Sequence, residues 1–253
     1  MATITTAILG KKNVTAMSIS NNDWVDATVE KIVIETPSVK TFTFKLPHAM
    51  HNIAGQHYEL RLTATNGYQA ARPYSSASAM ANSDLLELTI QHVPGGEVTS
   101  YLHSQLKVGD PIQARGPFGK FFVWEPTMEE SIFLIAGGAG VVPMHSIITS
   151  HRDSGSTAEM KLLYSARTFD DIIYKDDFLA APTVEITLTK NQPADWHGRQ
   201  GRINQAAIKE ILDGFSQTPS IYICGMSPFV NAVTDGLLTL GISPATIKTE
   251  RFN

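Results

Sequence analysis

The chain has 253 residues, 43% apolar and 17% charged. That is a soluble globular composition, long enough for one large domain or two of ordinary size. Residues 1–125 carry ten basic and ten acidic groups and residues 126–253 carry ten and fourteen, so the net charge of −4 sits wholly in the second half and argues against nucleic acid as a partner. A single cysteine, Cys224, excludes an intramolecular disulfide and any cysteine-held zinc or iron–sulfur cluster within the chain.

Residues 1–22 are rich in Thr, Ser, Asn and Lys and read as a flexible tail. They lack the basic-then-apolar order of a secretory signal. Period-two alternation then begins, over residues 27–34 and 39–44, with Thr36-Pro37-Ser38 as the turn and Pro47 as the expected stop. A third strand is expected from Gly55, a fourth through Arg72-Pro73-Tyr74-Ser75-Ser76, a fifth over 85–93 and a sixth over 106–114 with a turn at 108–111. Pro73 removes a backbone donor, which places the fourth strand at an edge or a break. Six short strands separated by turn signals predict a small antiparallel β-barrel over residues 23–125.

Two stretches of this half carry binding chemistry. Arg72 offers a fork of donors suited to a phosphate, and Tyr74, two residues on and on the same face, offers a flat ring to a flat ligand. Pro94-Gly95-Gly96-Glu97-Val98-Thr99 brings free backbone N–H groups to a helix start, which is an anion site, with Thr99 and Ser100 hydroxyls beside it. The same residues also suit a hairpin turn and one capped helical turn. Gly116-Pro117-Phe118-Gly119 reads as a tight turn that closes the half.

The polar stretch Glu125-Pro126-Thr127-Met128-Glu129-Glu130 marks the expected boundary, and the pattern changes class beyond it. Residues 131–136 are continuously apolar, as in a strand buried on both faces. Gly137-Gly138-Ala139-Gly140-Val141-Val142-Pro143 follows, then helical spacing over 144–151. Glycines and proline interrupt the apolar run 132–148, so no membrane span is expected and the expected location is cytoplasmic. Strands at 160–164, 183–188 and 220–224 alternate with helices at 172–179, 203–212 and 228–240. This alternation predicts a parallel sheet wrapped by helices over residues 126–253, with ligands beyond the carboxyl ends of the strands.

That rim collects the remaining candidates. The strand, glycine turn and helix resemble a dinucleotide fingerprint in which Pro143 replaces the third glycine of G-x-G-x-x-G. Ser165 and Arg167, ending the next strand, suit the 2′-phosphate of NADP, and Asp170 and Asp171 are placed to cap the helix that follows. Cys224 is either a small buried apolar residue or a group near a nicotinamide. No histidine pair has zinc-protease spacing, and no Gly-x-Ser-x-Gly stretch points to hydrolysis.

Taken in order, these stretches resemble the ferredoxin–NADP reductase family from about Asp23 to Phe252, down to the closing Glu250-Arg251-Phe252. The resemblance implies a flavin barrel followed by a nicotinamide-binding α/β domain. It implies that Arg72 holds the flavin pyrophosphate with Gly96, Val98 and Thr99, that Pro73 shares the motif, that Tyr74 stacks on the isoalloxazine, and that Ser75 bonds near its reactive nitrogen. Gly138, Gly140 and Pro143 would seat the dinucleotide, and Ser165 and Arg167 its 2′-phosphate. Cys224, Gly225 and Glu250 would flank the nicotinamide and Phe252 would cover the flavin, with Ser75, Cys224 and Glu250 as the catalytic set. The cofactors implied are FAD and NADP(H), ahead of NAD(H), and no metal. Met226 stands where many members have proline, and Asn253 where plant-type members have an aromatic end. With one cysteine, the one-electron acceptor is expected to be separate: a ferredoxin, a flavodoxin or an oxygenase iron–sulfur component. A ferric or free-flavin reductase, and a flavin-bearing electron-transfer subunit of a larger complex, remain open.

Overall fold

The computed structural model describes residues 20–252. All but the last three residues of the expected tail therefore lie outside the described residues, as does Asn253. Six antiparallel strands come first: β1 (Val25–Thr36), β2 (Val39–Asn52), β3 (His57–Thr63), β4 (Gln69–Ser75), β5 (Met80–Gln91) and β6 (Pro111–Phe118), in the order β4-β3-β6-β1-β2-β5. Helix α1 (Glu97–Ser104) links β5 to β6.

Alternation explains the barrel interior. Phe42, Phe44 and Leu46 of β2 and Leu86, Leu88 and Ile90 of β5 point inward, and Val98 and Leu102 of α1 close the same cluster. β4 lies at the edge of the sheet order, and Pro73 there faces Glu59 of β3, as a residue without an N–H requires. Two expected boundaries move. β2 does not stop at Pro47 but continues to Asn52, after a register shift against β5 between Lys45 and Met50. This irregularity accommodates the missing donor. β6 starts at Pro111 and runs to Phe118, so the first three residues of the stretch read as a closing turn are strand and only Gly119 lies beyond it. Leu106 is not part of it and instead packs into the barrel core.

The second half is a parallel sheet in the order β10-β9-β8-β7-β11-β12. Its strands are β7 (Ile132–Gly137), β8 (Met160–Ala166), β9 (Val184–Leu188), β10 (Arg199–Gln200), β11 (Ser220–Met226) and β12 (Ile247–Phe252). The helices are α2 (Val141–Ser154), α3 (Lys175–Ala180), α4 (Gln205–Asp213) and α5 (Ser227–Thr239). β7 is buried on both faces. Ile132, Leu134 and Ala136 enter one cluster and Phe133 and Ile135 another. β10 and β12 were not legible in the sequence, and the expected helix over 172–179 begins later, at Lys175, after a 3₁₀ turn. No helix among the described residues is long and apolar enough to cross a membrane.

The two halves share a core. Val39, Ala54 and Ala77 from the antiparallel half belong to one buried cluster with Phe122, Trp124, Ile132, Leu134 and Tyr174. Trp124 also bridges back to Ala54, and Tyr222 of β11 donates its hydroxyl hydrogen to the Val123 carbonyl at 2.8 Å.

Candidate functional site

Along β4 burial rises toward the strand's end, from exposed Arg72 and Pro73 to half-buried Tyr74 and buried Ser75. Arg72 is exposed opposite Leu60, and its guanidinium donates to the Ala71 carbonyl at 2.7 Å. Tyr74 is half-buried opposite Tyr58. Burial pushes its phenol up to about 12, against the opposing pull of Arg72, so the ring stays neutral. Ser75 is 6% exposed. Both the Tyr74 hydroxyl and the Ser75 Oγ are buried without a hydrogen-bond partner in the protein. Buried hydroxyls are ordinarily partnered, so two consecutive orphans indicate a place built for a polar ligand.

Helix α1 packs against β4. Its N-cap, Gly96, supplies no side-chain cap, so the helix start presents bare backbone donors. Gly95 holds φ at +76°, a left-handed turn that favours glycine, with open space around it. The Thr99 hydroxyl is not free for an anion: it accepts from the Val93 N–H at 3.1 Å and lies 3.3 Å from the Val93 carbonyl. It therefore shapes the turn, and any part Thr99 plays in holding an anion falls to its backbone N–H in the first turn of α1. The Val98 side chain is buried in the barrel, leaving only its backbone. Ser100 Oγ pairs with His92 at 3.3 Å. A clasp the sequence did not announce joins the tip of the β3–β4 hairpin to α1, from the Tyr68 hydroxyl to Glu97 at 3.2 Å.

At the carboxyl rim of the parallel sheet, Gly138–Gly140 form a 3₁₀ turn that leads directly into α2. The turn packs against β5, which brings it to the antiparallel half. A Cβ on Gly140 would lie 2.1 Å from the Cys224 carbonyl oxygen, so only glycine fits. At Gly138, φ is +55° and a Cβ would meet nothing within 4 Å, leaving the turn's outer surface open. Pro143 is buried in the first turn of α2, where no intrahelical N–H bond is lost.

Ser165 is half-buried and Arg167 exposed at the end of β8. Asp171 is taken up in a capping box with Thr168, and Asp170 lies 3.5 Å from Lys175. Asp171 thus caps as expected, whereas Asp170 is mostly exposed and takes no part in the cap. Lys190 is a further exposed cation at this rim. Its backbone N–H donates to the Arg167 carbonyl at 2.8 Å, which joins the backbones of the two cationic residues.

β12 aligns with β11 so that Cys224 pairs with Glu250 and Met226 with Phe252. Cys224 is fully buried, and burial together with the nearby Glu250 charge pushes its thiol well up, so it is held as a thiol rather than a thiolate. The Gly225 backbone adjoins Phe229 and Gly137. Burial raises the Glu250 carboxyl to about 7, and its Oε2 is another orphaned buried atom. Phe252 packs on the core shared by the two halves.

A barrel with an open anion site and a glycine-turn parallel sheet meeting at a common core defines the class: an oxidoreductase that binds a flavin and a nicotinamide dinucleotide. Residues 26–123 match the family model described as an oxidoreductase FAD-binding domain, and residues 134–235 match the one described as an oxidoreductase NAD-binding domain. The chain is 32% identical over 237 residues to ferredoxin–NADP reductase B of Sorangium cellulosum, covering 89% of this chain and 92% of that one. It is 33% identical over 231 residues to the reductase component of phenol 2-monooxygenase from Pseudomonas sp. strain CF600, covering 88% of this chain but only 64% of the relative's length. Among solved structures, the Amycolatopsis cytochrome P450 reductase superposes with a TM-score of 0.78 at 26% identity, over 91% of this chain and 70% of the other. The chain belongs to the ferredoxin–NADP reductase family and is an FAD-dependent NAD(P)H oxidoreductase.

Proposed function

We propose that this chain takes hydride from NADPH, in preference to NADH, and delivers the electrons to a separate one-electron acceptor. Three orphaned polar atoms carry this reading: the Tyr74 hydroxyl and Ser75 Oγ on the barrel strand, and Glu250 Oε2 on the last strand of the parallel sheet. Both halves thus keep buried polar groups unsatisfied where the two ligands of such a reaction would meet. Residues 23–125 serve as the flavin domain and 126–253 as the nicotinamide domain.

The residues present suit FAD. Arg72 and the uncapped start of α1, with the backbone of Gly96, Val98 and Thr99, hold the pyrophosphate, with Pro73 keeping β4 at the edge. Tyr74 would stack on the ring system and Ser75 would donate a hydrogen bond to it. FAD supplies the chemistry, taking electrons as a pair and releasing them singly. Gly138 lets the dinucleotide backbone come close, Gly140 and Pro143 fix the start of α2, and Gly225 keeps the end of β11 thin. Glu250 would flank the nicotinamide and Phe252 would cover the flavin, with the buried Cys224 beside Glu250 at the end of β11. Arg167, with Ser165 and Lys190, receives the 2′-phosphate. Of the relatives, the Sorangium protein's name carries NADP, and others are named NADH-cytochrome b5 reductases. Arg167 and Lys190, two exposed cations joined at the backbone on this rim, support NADP.

The family relatives include reductase components of oxygenases, which supports a ferredoxin, a flavodoxin or an oxygenase iron–sulfur component as the acceptor. Anaerobic stopped-flow mixing of the flavin-loaded protein with each nucleotide tests the reading. Bleaching faster with NADPH than with NADH is expected, and no bleaching with either would overturn it. Cytochrome c reduction that rises when a ferredoxin is added supports a protein acceptor. Equal rates without one favour the small-molecule reductase.

A further inference from the structure

Two side chains of the parallel half reach into the antiparallel half, and neither is among the ligand-holding residues above. His145 sits about one turn into α2, the helix that opens at the glycine turn. Its Nδ1 lies 3.0 Å from the Ala77 carbonyl oxygen, so Nδ1 carries the proton and donates. Ala77 is 3% exposed and only two residues beyond Ser75. The same segment is held on its other sides by the Ser76 N–H on the Gln56 carbonyl and the Ala77 N–H on the Glu87 carbonyl, each at 2.9 Å. His145 is therefore the tie from the nucleotide-binding helix to the strand end that carries Ser75.

The ring of His145 is itself held. Tyr174 stacks on it, with centroids 3.9 Å apart and planes at 22°. Tyr174 has a left-handed backbone at φ +54°, a conformation that a bulky residue keeps only where its surroundings over-determine it. Those surroundings are in the barrel. The Tyr174 hydroxyl donates to Thr89 Oγ1 at 2.6 Å, Thr89 bonds Thr41 at 2.7 Å, and Thr41 donates to Glu35 at 2.6 Å. Phe178 meets the ring edge-on at 6.0 Å, and the contact of His145 Nε2 with Asp177 at 3.5 Å is long, with that carboxylate mostly exposed.

We propose that His145, backed by Tyr174, is a positioning residue that sets the spacing between the flavin strand and the nicotinamide helix. The proposal rests on the functional reading above. The path it uses is short and stiff: two residues of chain from Ser75 to Ala77, one hydrogen bond, and one helical turn back to Val141. Transfer between two bound rings falls steeply with misplacement, so loosening this tie acts on the rate and leaves nucleotide affinity largely intact.

Anaerobic stopped-flow on flavin-loaded variants and amide hydrogen exchange on flavin-free protein test it together. His145→Ala should lower the limiting rate of flavin bleaching about 10- to 100-fold while nucleotide affinity changes less than about threefold. In the flavin-free protein the Ser76 and Ala77 amides should exchange faster. His145→Asn, whose amide nitrogen can stand where Nδ1 does, should restore most of the rate and the protection. Tyr174→Phe keeps the ring stack but loses the Thr89 bond, and should slow bleaching in the same direction by less; it is the test should His145→Ala fail to fold. A wild-type rate or unchanged exchange in His145→Ala, or an Asn variant no better than Ala, would overturn the positioning role while leaving the functional reading standing. A wild type that bleaches with neither nucleotide would overturn both.

Discussion

Glu250 gives the site a group that titrates in the neutral range. Burial raises its folded pKa from 4.5 to about 7. The folded state therefore binds the proton more tightly than the unfolded state, and the favourable contribution is complete below about 4.5 and is lost as pH rises through 7. Glu250→Gln should gain stability relative to wild type between pH 5 and pH 8, by up to about 3 kcal/mol. The same substitution should remove any break near neutrality in the pH profile of flavin bleaching. Denaturant titrations at the two pH values check the first outcome, and parallel shifts of both proteins would contradict it. Arg72 is a simpler case. A charge-assisted hydrogen bond to phosphate is worth about 1.5–3 kcal/mol, so Arg72→Ala should weaken FAD by roughly 10- to 100-fold and purify pale. A fully yellow variant would remove Arg72 from the pyrophosphate site. At the far rim, Arg167→Ala should weaken NADPH about tenfold or more and NADH less than about twofold, as inhibition by the oxidised nucleotides would report. Equal losses would end the NADP preference.

At the scale of elements, glycines were easy to find in the sequence but hard to rank. Gly138 and Gly140 belong to one motif, yet only Gly140 is sterically obligatory, because β11 passes behind it. Gly140→Ala forces a methyl group into the Cys224 carbonyl and should cost about 3 kcal/mol or more in stability, read as a lowered midpoint in urea. A variant of unchanged midpoint would mean that β11 and the turn can separate. The strands β1, β2 and β5 were legible because apolar side chains alternate with polar ones along each, even where the polar Thr41, Thr43 and Thr89 are themselves buried. β12 was not, since Ile247-Lys248-Thr249-Glu250-Arg251-Phe252 mixes half-buried and exposed residues without a clear period. It is a strand because it lies beside β11, a long-range pairing that local pattern does not encode. β6 was misplaced for a related reason. Gly116 and Pro117 carry turn chemistry, and they sit in an irregularity of the ladder with β3, between the Glu59–Arg115 and His57–Phe118 pairs, so the strand runs on through them.

Across the whole molecule, the decisive feature is the core shared by the halves. Ala77 and Val39 from the barrel are buried with Ile132 and Tyr174 from the α/β half, and the Tyr174–Thr89 hydrogen bond crosses the same boundary. Exposing that surface on opening one half alone would be costly, so the two should unfold together. Calorimetry of the flavin-free protein should show a single transition whose van't Hoff and calorimetric enthalpies agree. Two resolved transitions would mean that the shared core contributes little.

The amino-acid order alone determined the two-part architecture and which residue types gather at each rim, because burial periodicity, turn chemistry and glycine-rich helix starts are local signals carried by neighbouring side chains. Only the tertiary structure decided which of those residues are left with unsatisfied polar atoms, why Glu250 titrates so high, and that His145 and Tyr174 fasten one half to the other. Those properties arise from desolvation and from contacts between segments far apart in the chain, and both exist only once the sheets have closed over them.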